Sequence, residues 1–235
     1  MNINEHISSP MVLITLTFLV YWGAGWLQKK TGLSWLSPML VTIALLITLL
    51  KITGISYEKY YESGHLIEFW LKPAIVALGL PLYNELKHIR TQFITLFLTE
   101  LTGCVIGIVT VVAIAKWLGA TPDVICSLAP KSVSTPIAIE ISSKLGGIPA
   151  LTSAIVVAVG MIGAAFGLKM MSWGHVHHAV SQSLSMGTAA HVMGTNRISE
   201  ISDRYGAYAT LGLILNGVLT AFLAGPIVRI LIDVL

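Results

Sequence analysis

One stretch of this sequence is written twice, sixty residues apart, and both copies place charge and helix-breaking residues inside a hydrophobic setting. Residues 129–147 read APKSVSTPIAIEISSKLGG, and residues 189–207 read AAHVMGTNRISEISDRYGA. At that offset Ala129, Thr135, Glu140, Ile141, Ser142 and Gly146 meet Ala189, Thr195, Glu200, Ile201, Ser202 and Gly206. Lys144 meets Arg204, and Lys131 falls opposite His191. Pro130 and Pro136 cannot share one regular helix, since each removes a backbone donor and clashes with the preceding turn. Paired interrupted segments of this kind point to a transporter's binding site, in parallel or inverted repeats. Two fully crossing copies, separated by one complete span, would run in the same direction. A re-entrant copy, or a crossing 169–185 segment, would make them antiparallel.

Composition places the chain in a membrane independently of the repeat. Hydrophobic residues make up 55% and charged residues 11%, with mean hydropathy +0.81. That charge is less than half the roughly 25% of a soluble domain. A crossing helix needs about 20 apolar residues, so the length allows about seven or eight spans and leaves no room for a soluble domain. Residues 1–235 are therefore expected to form a single all-α polytopic transmembrane helix bundle, with two interrupted helices from the internal repeat.

Along the chain, 11–27 and 36–50 read as spans closed by Lys29, Lys30 and Lys51. The first lacks the basic flank and cleavage site of a signal peptide and is expected to stay in the protein. Residues 52–64 read as an interfacial connector, with Tyr57, Tyr60 and Tyr61 at headgroup level. The span 66–83 carries Glu68, Lys72, Pro73 and Pro81, and 93–118 encloses Glu100. Residues 124–142 hold the first copy. The span 151–168 carries Gly160, Gly163 and Gly167, small residues that permit close helix approach. A polar, His-rich 169–185 leads into the second copy, and 208–234 closes the chain. If each segment spans once, Lys29, Lys30, Lys87, Arg90, Lys144, Arg197 and Arg204 share one side, against Lys51, Lys59, Lys116, Lys169 and Arg229. The positive-inside rule places the first side in the cytoplasm.

Broken backbone at membrane depth is tolerated only inside protein or along a watery cavity, so both interrupted segments should face the interior. There, half-helix N-termini with free amides suit an anion. Ser132, Ser134, Thr135, Thr188 and Thr195 add hydroxyls, Lys131 a full positive charge, and His191 a group that titrates near neutral pH. The expected ligand is a small anion, with proton coupling through His191 or Glu100. Other roles stay open for these groups. Lys131 is able to snorkel or pair with Glu140 or Glu100, His191 to act as a neutral hydrogen-bonding residue, and Glu140 and Glu200 to pair with Lys144 and Arg204 at helix ends. His175, His177 and His178 form HVHH, but no further metal ligands converge in the sequence, so a solvated loop or interfacial helix is expected rather than a metal site. Cys104 and Cys126 lie in apolar segments as small hydrophobes. No Walker loop, dinucleotide fingerprint or nucleophile elbow is present, so no enzyme and no cofactor is expected.

The strings PAIVALGLPLY (73–83), LAPKSVSTPIAIEIS (128–142), GGIPALTS (146–153) and MGTAAHVMGTNRISE (186–200) resemble the LrgB/CidB family over nearly the whole chain. Asn196 stands where the family is expected to have a small residue, and Ser134 where Thr is usual. The resemblance implies a multi-pass protein of the bacterial inner membrane, and two functional descriptions. Bacterial members are described as holin-like or antiholin-like partners of a small LrgA/CidA-type membrane protein, affecting murein hydrolase activity and lysis. Related proteins are described as carriers of small carboxylates, including pyruvate in bacteria and glycolate or glycerate in plastids. The residues favour a secondary transporter of small monocarboxylates, because a pore former has no evident need for two interrupted helices with buried cationic and hydroxyl groups. The holin-like regulator is the alternative. A homodimer is compatible on general transporter grounds only.

Overall fold

The structure, a computed structural model, describes residues 9–31, 38–77 and 79–234. Among these the chain is a succession of helices with no strand, the all-α helix bundle that the composition requires. It divides into two compact units, Met1–Ala77 and Leu78–Leu235.

The first unit contains α1 (Pro10–Thr31), α2 (Pro38–Thr53) and α3 (Tyr57–Ala77). Helix α1 packs on both others. Leu13 is fully buried, while Phe18, Trp22 and Trp26 stay exposed, as suits a helix surrounded by lipid. The expected connector 52–64 is largely helical from Tyr57 onward. Its Tyr60 hydroxyl meets Thr17 Oγ1 at 3.0 Å, tying α3 to α1, so this ring serves packing rather than the headgroup layer. Residues 36 and 37 of the second expected span, and Leu78 within 66–83, lie outside the described residues.

The second unit contains α4 (Gly79–Asn84), α5 (Leu86–Thr91), α6 (Phe93–Trp117), α7 (Pro122–Leu128), α8 (Thr135–Leu145), α9 (Pro149–Trp173), α10 (Ala179–Ser199) and α11 (Asp203–Val234). Helices α6 and α11 run parallel: Cys104 Sγ lies 3.4 Å from Thr220 Oγ1, and farther along Lys116 Nζ donates to Leu231 O at 3.1 Å and Ile232 O at 2.6 Å. The lysine thereby satisfies carbonyls that the last turn of α11 leaves without intrahelical partners.

The first repeat copy is a hairpin, not a span. Its backbone breaks over 129–134, between α7 and α8. Helix α8 then runs alongside α11 in the same direction, since a Cβ built at Gly217 would lie 3.4 Å from Ile137 Cδ1, and one at Gly225 3.6 Å from Leu145 Cδ2. Just beyond α8, Ile148 N donates to Ser127 Oγ at 2.7 Å, so the chain has returned to α7. Had α8 continued in the direction of α7, its end would stand about 16 Å beyond the break.

The second copy doubles back from the opposite end. Helix α10 runs antiparallel to α9, with Met186, Ala190 and His191 against Gly167, Gly163 and Gly160 in turn. At His191 the backbone leaves helical geometry, with φ 43° and ψ −134°, a left-handed φ uncommon outside glycine. Beyond it, Ile198 shares a core with Met186 and Ala209, backed by Leu168 and Met171. In a straight helix Met186 and Ile198 would be about 18 Å apart.

The repeat is thus inverted, a point the sequence left open. Each hairpin fills a stretch read as a span, and among the described residues four helices, α1, α6, α9 and α11, are long and apolar enough to cross a membrane, with a shorter apolar stretch in α2. The charge distribution changes accordingly. Lys144 joins Lys116 and Arg229 at the end where α6 and α11 finish, and Lys169 joins Arg197 and Arg204 at the other. The expected pairing Glu140 to Lys144 is present at 3.0 Å. Glu200, by contrast, pairs with Arg197, three residues before it, rather than with Arg204.

Candidate functional site

The two hairpins approach each other through one side chain of α11. Asn216, buried to 2% exposure, donates its amide to Ser132 O at 2.9 Å and to Thr188 O at 3.0 Å. Its carbonyl accepts from Thr220 Oγ1 at 3.4 Å. The Ser132 carbonyl lies in the break of the first copy, where no helix supplies it with a donor. A buried carbonyl left alone there would forfeit a hydrogen bond in a setting that water cannot repair.

Thr188 extends this network to α6. Its Oγ1 lies 2.5 Å from Glu100 Oε1 and 2.7 Å from Leu184 O. Glu100 is 1% exposed, and its Oε2 has no hydrogen-bond partner. Opposite it stands Lys131, half-buried at the first hairpin's tip, whose Nζ donates to Ser132 Oγ at 2.9 Å. Among the described residues no carboxylate pairs with Lys131. The pairings anticipated with Glu140 or Glu100 are not formed.

These groups border a cavity of about 500 Å³. Glu100, Lys131, Ser132, Thr188 and Asn216 form its polar inner wall, and Gln92 and His178 border it toward the end from which the second hairpin enters. The arrangement sets a cation and an unpaired carboxyl oxygen on one partly open cavity. That combination can hold an anion at Lys131 and a proton at Glu100.

Of the residues read as candidates in the sequence, Lys131, Ser132, Thr188 and Glu100 come together on this wall. Ser134 and Thr135 stand beyond the break, where α8 begins, and do not reach it. His191 is also elsewhere: its positive φ turns the ring toward α9, where Nε2 lies 2.9 Å from Val156 O. Thr195 is fully buried and donates to His191 O at 2.9 Å. His191 and Thr195 therefore brace the second hairpin against α9 and α11. Asn216 and Thr220 had gone unremarked in the span 208–234. An amide inside an apolar run is itself a signal, since polar groups at membrane depth are expensive unless partnered.

The HVHH segment divides. His175 and His177 pack edge to face at 6.4 Å between centroids, while His178 precedes α10 and borders the cavity. Among the described residues no three His, Cys, Asp or Glu converge as a metal site. Cys104 and Cys126 are buried, free thiols.

A bundle of apolar helices carrying an inverted pair of hairpins beside a cavity with charged and polar groups on one wall defines an integral membrane protein built on an internal repeat. The chain belongs to the LrgB-like family, whose family model matches residues 17–230. It is 31% identical over 220 residues to the "Holin-like protein CidB" of Staphylococcus aureus strain N315, covering 94% of this chain and 96% of that one. The protein of that name from Staphylococcus epidermidis is 30% identical over the same 220-residue length, with the same coverage. The "Uncharacterized protein YwbG" of Bacillus subtilis strain 168 is 33% identical over 210 residues, covering 89% of this chain and 93% of its own. No solved structure matches the chain.

Proposed function

We propose that this chain is a carrier that binds small monocarboxylates in the cavity between its hairpins and moves them across the bacterial inner membrane. The supporting observation is Lys131, an ammonium that faces the cavity with no carboxylate partner among the described residues. Buried charges are ordinarily paired, so an open cation facing a cavity is suited to a ligand's carboxylate. The inverted repeat is a frequent plan among secondary transporters, with the site at the repeat interface. Proton coupling is assigned to Glu100. The Thr188 hydroxyl has a single proton to share between Glu100 Oε1 and the Leu184 carbonyl, and a protonated Glu100 satisfies both contacts by donating to Thr188 while Thr188 donates to Leu184.

A second reading has its own support, and the names of the relatives favour it more directly than they favour transport. Both staphylococcal proteins are called holin-like. On that reading the chain regulates lysis together with a small LrgA/CidA-type membrane protein, and the cavity is a structural by-product of the hairpins. Purified protein in liposomes separates the two. A carrier gives saturable exchange of labelled pyruvate with no release of an entrapped dye, whereas a regulator that acts through its partner gives no exchange, and a pore former releases the dye without selectivity.

A further inference from the structure

The repeat extends beyond the hairpins into the long helices that precede them. At the same sixty-residue offset, Glu100, Gly103 and Gly107 of α6 fall on Gly160, Gly163 and Gly167 of α9, as Lys131 falls on His191. On α9 this face is occupied. A Cβ built at Gly160 would lie 2.5 Å from the His191 ring, one at Gly163 2.3 Å from Ala190 Cβ, and one at Gly167 2.6 Å from Met186 Sδ. On α6 the same face is covered at Glu100 by Thr188 but open beyond it. Gly107 has nothing within 4 Å, and Gly103 meets only Thr188 Cγ2 at 3.6 Å. Both glycines line the cavity. The second hairpin is seated on the glycine face of its helix, whereas the first packs on α6 beside Cys104, Ile108 and Val112 and leaves the equivalent glycine face uncovered.

We infer that the first hairpin closes on α6 as the second sits on α9, bringing Lys131 onto Glu100 in the place that His191 holds over Gly160. Equivalent surfaces with two available packings are the basis of rocking between inverted repeats. For its consequence in transport the inference rests on the carrier reading: Glu100 replaces the ligand's carboxylate as the partner of Lys131 when the carrier is empty. With a ligand on Lys131, a second anion beside it would be uncompensated, so Glu100 keeps its proton and its contact with Thr188. Once the ligand leaves, Lys131 is a half-buried cation without a carboxylate partner. The O–H bond of Glu100 then breaks, the proton passes to solvent at the cavity mouth, and the carboxylate joins the ammonium. The titratable groups bordering the cavity with Glu100 are Lys131 of the first hairpin, His178 at the start of α10 and Cys104 on α6 itself; Asn216 and Thr220 of α11 are uncharged. Each carboxylate therefore travels with a proton, and the empty form returns closed.

Dicyclohexylcarbodiimide tests the closure on the native side chains, because it condenses a carboxyl with an amine into an amide, with loss of water, when the two touch. In substrate-free membrane vesicles, peptide mapping by mass spectrometry should find the peptide of Glu100 joined to that of Lys131. Gly107→Leu, whose Cβ has nothing within 4 Å in the present arrangement but whose side chain fills the seat on α6, should abolish the link. Absence of the linked peptide from wild-type vesicles overturns the inference, whether or not pyruvate is transported. A link undiminished by Gly107→Leu overturns the seating on α6. A wild-type link without any pyruvate exchange in liposomes leaves the closure standing and removes the carrier reading.

Discussion

Asn216 donates its side-chain amide to the main-chain carbonyl of Ser132 at 2.9 Å, supplying from α11 a donor that the broken backbone cannot provide for itself. Because the same amide reaches Thr188 O, one residue ties hairpins that enter from opposite ends. Asn216→Leu should therefore destabilise the folded protein by about 1–3 kcal/mol, the cost of leaving buried carbonyls unsatisfied. Thermal unfolding of purified protein in detergent should show a lowered midpoint, and an unchanged midpoint would mean that the tie is not structural.

Lys131→Ala should weaken binding of a small carboxylate while leaving the fold intact, since the lysine's own hydrogen bond is to its neighbour Ser132. A charge-assisted hydrogen bond is worth roughly 1.5–3 kcal/mol, a loss of affinity of about tenfold or more. Equilibrium binding of labelled pyruvate to purified wild type and variant checks the magnitude.

The glycines of α6 and α9 should respond differently to one added methyl. Gly163→Ala places a Cβ 2.3 Å from Ala190 Cβ, whereas Gly107→Ala meets nothing within 4 Å. Overpacking of a tight helix contact costs about 1–3 kcal/mol, so the first should lower the unfolding midpoint and the second leave it in place. Both midpoints are read in one detergent experiment.

The inverted hairpins make a topological prediction opposite to the one drawn from counting spans. Lys144 and Arg204 occupy matching positions of the two copies, and treating each copy as a complete crossing puts them on the same side. Hairpins entering from opposite ends put them on different sides. In a Cys104→Ser, Cys126→Ser background, an impermeant maleimide applied to intact cells should label only one of Lys144→Cys and Arg204→Cys, and labelling of both or neither would count against the inversion.

Much of this was legible in the sequence, and the omissions have physical causes. The offset that pairs Lys131 with His191 located both backbone breaks, because prolines six residues apart, or clustered glycines, restrict what a helix can do. The direction of the chain after each break was not legible. A half-length hairpin and a full crossing are equally apolar, and only contacts such as Ile148 N to Ser127 Oγ distinguish them. The same ambiguity misplaced Lys144 and Lys169. His191 lies in the interior as read, in the hydrogen-bonding place left open for it, but that its ring turns to α9 instead of the cavity depends on a single positive φ that no neighbouring residue announces. Asn216 was missed because attention followed charge and breakers, although an amide within an apolar run carries the same physical warning.

The central claim, that the cavity between the hairpins carries small monocarboxylates, is tested most directly by counterflow. Liposomes containing purified protein are loaded with unlabelled pyruvate and diluted into labelled pyruvate at equal pH on both sides. The account predicts transient, saturable accumulation of label, strongly reduced by Lys131→Ala, with an entrapped dye retained. Dye release, or label entry no faster than in protein-free liposomes, would contradict it.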